Sequence, residues 1–256
     1  MKTLELYEKY DVHGWLKYNP HEGHYAKFNP NVITTGFKIF ETYNTFCNAR
    51  TLLYSSEVSN LGDLTANDDL SVKYTKSTFL QSSLATYNYC IDLSWQVAWF
   101  YCSPDDYYGF IDSEKKYTDY SKACTYDVLI LKLRLGNKKK IMELLHEFYS
   151  NKTVRKIRSE YNYMKHRGGY YTPGLGEQRP VMFGTINGNH FNMIQRNIFD
   201  IEEWIDILFE IDRLFYQFFN TFIDSIMPKN YLETTLDFMS PLDYYSKRKR
   251  NNSLSV

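Results

Sequence analysis

Arg158, Asn162 and His166 stand at steps of four within residues 153–169, TVRKIRSEYNYMKHRGG. At about 3.6 residues per turn, that spacing sets a guanidinium, an amide and an imidazole along one side of a helix. Together these groups can act on a phosphodiester. The imidazole is the side chain whose ordinary pKa suits proton transfer near neutrality. The guanidinium supplies a permanent forked charge for phosphate, and the amide can orient either. Metal-free RNA cleavage needs a base for the 2′-hydroxyl, an acid for the leaving 5′-oxygen and a cation for the phosphorane. Arg158, Asn162 and His166 are therefore the candidate catalytic residues. Arg155, Lys156, Lys165 and Arg167 are the candidate nucleic-acid-binding residues. A second reading stays open: Lys165, His166 and Arg167 fill the last turn and Gly168 can take a left-handed C′ conformation, so the cluster can simply neutralise a helix end.

The elements that must hold these groups are divided by proline. Residues 31–103 and 105–172 contain none, so long helices are allowed there. The apolar spacing predicts helices over 31–56, 74–101, 112–135 (as one or two), 138–150 and 200–227. Phe37, Phe40, Tyr43, Phe46, Cys47 and Leu53 form the stripe of the first, and Phe79, Ser83, Thr86, Cys90, Leu93, Val97 and Phe100 that of the second. Asp200 is the expected cap of the last helix, and Pro228 its end. Six of the twelve glycines lie between Gly168 and Gly188, and Asn187-Gly188 within 181–194 reads as the type I′ turn of a β-hairpin. The expected architecture is mainly all-α: an up-down bundle of about five long helices with an inserted β-hairpin. Residues 1–30, broken by Pro20 and Pro30, read as an irregular arm, 31–228 as the bundle domain and 229–256 as a tail, disordered at its basic end.

Composition narrows the function classes. The 256 residues carry 30 basic and 30 acidic side chains, a balance that argues against a general nucleic-acid coat protein. The charge is unevenly placed: residues 152–167 hold six bases against Glu160 alone, and residues 200–212 hold six acids and no base. Such a strip can bind phosphate, or the two helices can pack side by side with complementary charge. The 24 Tyr and 17 Phe can form a stacking surface, but their spread along helical spacings points to the core. Cys47, Cys90, Cys102 and Cys124 show no metal or redox spacing. The N-terminus lacks a signal-like apolar run, and Asp206, Glu210, Asp212, Arg213 and Asp224 exclude a span from the most apolar stretch. A cytoplasmic setting, away from membranes, is the expectation.

A helical bundle carrying Arg158 beside polar Ser159, then His166 near a helix end, resembles the HEPN superfamily. The gap here, seven residues, is one longer than the family's usual spacing. Asn162, with three residues between it and His166, can take over part of the arginine's role. The string YNYMKHRG at 161–168 is similar to the ending of some larger HEPN-like proteins. The resemblance implies an RNA- or nucleotide-binding protein, and a metal-independent endoribonuclease of toxin or phage-defence type, with His166 as acid/base, Arg158 on the phosphate and Asn162 orienting. It implies no cofactor. It also implies a homodimer whose motif helices meet with an anion between them. The alternative, from a different class, is a non-enzymatic interaction or scaffold protein with a protein partner. Other features carry less chemistry. His21 and His24, with His13 nearby, lack a helical metal-binding pattern. Gly174-Leu-Gly176 lacks the third glycine and the strand of a dinucleotide fingerprint. Asp68-Asp69 and Asp105-Asp106 read as caps, and Trp95 and Trp99 as core.

Overall fold

A computed structural model describes residues 2–176, 184–191 and 195–253. Among them the chain forms eleven α-helices: α1 (Lys2–Lys9), α2 (Glu22–Lys27), α3 (Pro30–Glu57), α4 (Asp69–Tyr101), α5 (Gly109–Asp112), α6 (Glu114–Lys122), α7 (Tyr126–Leu135), α8 (Lys139–Ser150), α9 (Lys152–Arg167), α10 (Ile201–Ile226) and α11 (Ser240–Ser253). The all-α class follows.

The two longest helices form the centre. Pro30 opens α3 at a position where its missing N–H costs nothing. Asp68 caps α4 by accepting from the Ser71 N–H at 2.9 Å. The pair runs antiparallel: Asn31 donates to the Tyr101 carbonyl at one end, Phe46 packs on Tyr87 in the middle, and Ser83 donates to the Ala49 carbonyl further on. Helix α10 lies across both and antiparallel to α3, with Phe215 on Phe46 at 5.3 Å. Its buried stripe of Trp204, Ile205, Leu208, Ile211, Phe215, Phe222 and Ile226 matches the periodicity of the sequence. Within this interface sits a polar knot. Arg50 donates twice to Asp212, at 2.9 and 2.8 Å, and once to the Tyr10 carbonyl, while Tyr87 donates to Asp212 at 2.7 Å. Arg50 and Asp212 are wholly buried, so the bidentate geometry and the third donor offset a large desolvation cost.

Several local expectations are corrected. Residues 2–30 are not an irregular arm. They form α1, a 3-10 turn at His13–Tyr18 and α2, and Leu6, Val12 and Trp15 are buried in the core. The prolines punctuate short helices instead of preventing them. The basic end of 229–256 is helical through Ser253: α11 packs on α2, Lys247 donates to the Phe28 carbonyl, and Arg248 pairs with Asp112. The 112–135 stretch divides among α5, α6 and α7, because Ser113 and Thr125 each cap a new helix. On α3 the core stripe is Ile39, Thr42, Phe46, Ala49 and Leu53, which leaves Phe37 exposed. In 184–191, β1 (Gly184–Ile186) pairs only with β2 (Asn189–Phe191) across Asn187-Gly188. Residues 181–183 and 192–194 of the expected hairpin lie outside the described residues, and nothing supports it as an element of the bundle.

Candidate functional site

Helix α9 carries the candidate residues, and its ends are built as its sequence demands. The Asn151 side chain accepts from the Thr153 N–H at 2.8 Å. Gly168 closes the helix at φ 82°, returning its N–H to the Met164 carbonyl at 2.8 Å. Val154 and Ile157 are fully buried, so they fix the helix's rotation against α4, α8 and α10.

That rotation separates the three candidate catalytic residues. Arg158 leans onto α4. It donates to Asp92 at 2.7 Å and to Asn88 at 3.3 Å, and its guanidinium lies 4.4 Å from the Trp95 ring centroid, with Tyr149 at 5.6 Å. A phosphate reaching Arg158 has to share the guanidinium with the Asp92 carboxylate. Asn162 and His166 instead face solvent and make no hydrogen bond among the described residues. The arginine on their line is Arg155: residues 155, 159, 162 and 166 recur at steps of four, three and four, and all are exposed. This alignment escapes a search at a strict step of four, which drifts around the helix, whereas alternating threes and fours follows one edge.

The remaining cations divide in two. Arg155 and Lys165 are exposed and form no ion pair among the described residues. Lys156 pairs with Glu203 at 2.6 Å and lies 5.3 Å from the Trp204 ring, so here the acidic start of α10 meets the basic helix side by side. Arg167 donates to the Gln195 carbonyl at 3.3 Å and lies over Tyr163. Glu160, the one acid of the helix, is turned aside: the Tyr170 hydroxyl donates to its carboxylate at 2.6 Å and to its carbonyl at 2.9 Å. Burial, then this hydrogen bond, raises the Tyr170 pKa, so the phenol stays a donor. Among the described residues no carboxylate of α9 itself thus stands on its outer edge.

Beyond Gly168 the chain turns into a glycine-rich loop, pinned at Tyr171. Its N–H donates to the Asn197 carbonyl at 2.9 Å, and its own carbonyl accepts from Phe199 at 2.8 Å. Buried Tyr170 anchors the loop among Tyr163, Phe199 and Trp204. Between this loop and the first half of α4 lies a cleft of about 800 Å³. Sequence motifs do not reveal it. The available signal was the density of serine and threonine along 71–86, residues that are poor helix formers unless a face has to stay polar.

The other candidates resolve as structure. His21 and His24 cap α2: the His21 Nδ1 accepts from the Gly23 N–H, and the His24 Nδ1 from the His21 N–H. Among the described residues no group of three or more His, Cys, Asp or Glu could hold a metal ion. Asp105 accepts from Asn31, and Trp95 and Trp99 are buried. All four cysteines are free thiols. Among the described residues no helix is long and apolar enough to cross a membrane. No protein-family model matches the chain, and no similarity to a curated protein or a solved structure was found.

Proposed function

We propose that this chain binds RNA or a nucleotide along the outer edge of α9, in the manner of the HEPN-like proteins its motif resembles, with His166 as the acid/base of a metal-independent cleavage. One observation carries the reading: Arg155, Asn162, Lys165 and His166 are all exposed on a helix whose single acid is held away by Tyr170. Phosphate then meets cations, an amide and an imidazole with no competing carboxylate from α9 on that edge among the described residues.

His166→Ala should abolish cleavage of a single-stranded RNA panel and leave folding nearly intact, since an exposed histidine at a helix end contributes only about 0.3–1 kcal/mol. Chelators should leave the rate unchanged. Arg155→Ala should weaken binding, and the slope of log K against log salt should become shallower by about 0.7 for each single-strand phosphate that is no longer neutralised. Binding without cleavage by the wild type would leave a non-catalytic RNA site, an outcome favoured by the engagement of Arg158 with Asp92.

A second reading, a non-enzymatic interaction protein, has its own observation. Leu232, Leu236, Phe238, Met239, Leu242 and Tyr245 are all exposed, Phe238 at 91%. Exposed apolar groups concentrated in this way mark interaction surfaces. A second copy of the chain is the partner in this reading. Phe238→Asp should then shift light scattering from dimer to monomer and leave RNA binding by the α9 edge unchanged.

A further inference from the structure

We propose that the cleft beside the end of α9 is a nucleoside pocket that takes one unstacked base of a bound RNA strand; this rests on the RNA-binding reading above. The first argument is position. Met164 and Gly168 line the cleft, so it opens at the same helix end that carries His166, whose imidazole projects from the other side of α9.

The second argument is the chemistry of the walls. One wall is a single face of α4, with Tyr74, Ser77, Thr78, Gln81, Ser82 and Ala85 at helical spacing. This face is hydroxyl, amide and methyl. Opposite it lie Met164, Tyr171, Leu175 and Arg196 together with the loop backbone at Gly168 and Gly176, which sit at φ 82° and 80°. No side chain projects from these two glycines, so a planar ring can approach the chain closely there. No carboxylate lines the cleft among the described residues. A volume of about 800 Å³ falls in the range of small-molecule sites.

The third argument is preorganisation. Ser77 and Thr172, both buried, share a hydrogen bond of 2.7 Å, and Gln81 donates to the Ser77 hydroxyl at 3.0 Å. The Gln81 amide nitrogen is thereby committed. Its Oε1 accepts nothing from the described residues and lies 3.8 Å from where a side chain on Gly169 would begin. An oriented acceptor of this kind suits the exocyclic amine of a base. Tyr74, 65% exposed, offers a ring face for stacking.

The test is titration calorimetry on the full chain, with nucleoside monophosphates, ribose 5-phosphate and a short single-stranded oligonucleotide as probes. At least one monophosphate with an exocyclic amine should bind more tightly than ribose 5-phosphate. Tyr74→Ala should weaken it about tenfold, in line with the removal of one stacked base, and Ala85→Trp should fill the cleft and abolish it. Should Ala85→Trp fail to fold, amide chemical-shift changes on adding the monophosphate should map to residues 74–85 and 168–176 of the wild type. No monophosphate binding, or ribose 5-phosphate binding equally well, overturns the pocket. Oligonucleotide binding that needs Arg155 and Lys165 but ignores Tyr74→Ala and Ala85→Trp overturns it too, and leaves the RNA reading standing. Monophosphate binding abolished in Ala85→Trp, with no oligonucleotide binding at all, supports the pocket while the RNA reading falls.

Discussion

Arg50 and Asp212 show what a charge costs inside this molecule. Both are buried, and the pair survives because each nitrogen of the guanidinium finds an acceptor: two on Asp212 and one on the Tyr10 carbonyl. Asp212→Ala should therefore destabilise the protein by about 3–5 kcal/mol in urea unfolding, because it strands a buried cation. The joint change Arg50→Met with Asp212→Leu should recover most of that deficit, as a well-packed apolar pair often does. Arg158 teaches the converse at the site. Its type and spacing were legible, its partner was not. Asp92 lies 66 residues earlier on another helix, and no local pattern links the two. The exposed Asn162 and His166 were readable because the faces of a single helix are a local property.

At the scale of elements, helices legible in the sequence were those with a long, proline-free apolar period. For 31–56 and 200–227 the expected bounds fall within one residue of α3 and α10 at each end. Short helices were missed because too few turns exist to show a period. Helix α2 is the clearest case: it is six residues long and held by its two histidines. The neutral ring of His24 accepts from the His21 N–H on one side and donates to the Tyr231 carbonyl on the other, stacked 4.1 Å from the Tyr231 ring. Burial holds its pKa below the ordinary imidazole value, with His21 and Lys27 adding to the lowering and the Tyr231 carbonyl opposing it. The unfolded chain, titrating at about 6.5, thus takes up this proton before the folded one does. The stability contribution is present above that pH and is lost as the pH falls below it. Unfolding free energy should drop between about pH 7 and pH 5, and the His24→Gln variant should show a shallower drop in the same series of urea melts.

The whole molecule is an all-α body in which the first and last described segments meet. Tyr231 donates to the Tyr18 carbonyl at 3.0 Å, and an added methyl group on Gly36 would stand 2.3 Å from its hydroxyl. No periodicity argument could have found that closure, since it joins residues 213 apart. Assembly also belongs to this scale. If the α9 edges of two copies meet across a strand of RNA, their like charges oppose dimerisation until the anion arrives. Added oligonucleotide should then raise the mass seen by light scattering, and added salt should lower it again.

The Arg50–Asp212 pair also imposes a schedule on synthesis. Its partners lie 162 residues apart. At about 5–20 residues per second, roughly 8–32 seconds pass between the making of the cation and the making of its carboxylate. Throughout that interval the guanidinium keeps its water, so the side of α3 that carries Arg50 stays open until α10 is made. The final packing around Arg50 therefore waits on α10, made 162 residues later. Slower translation of that helix would prolong the wait without altering the finished protein.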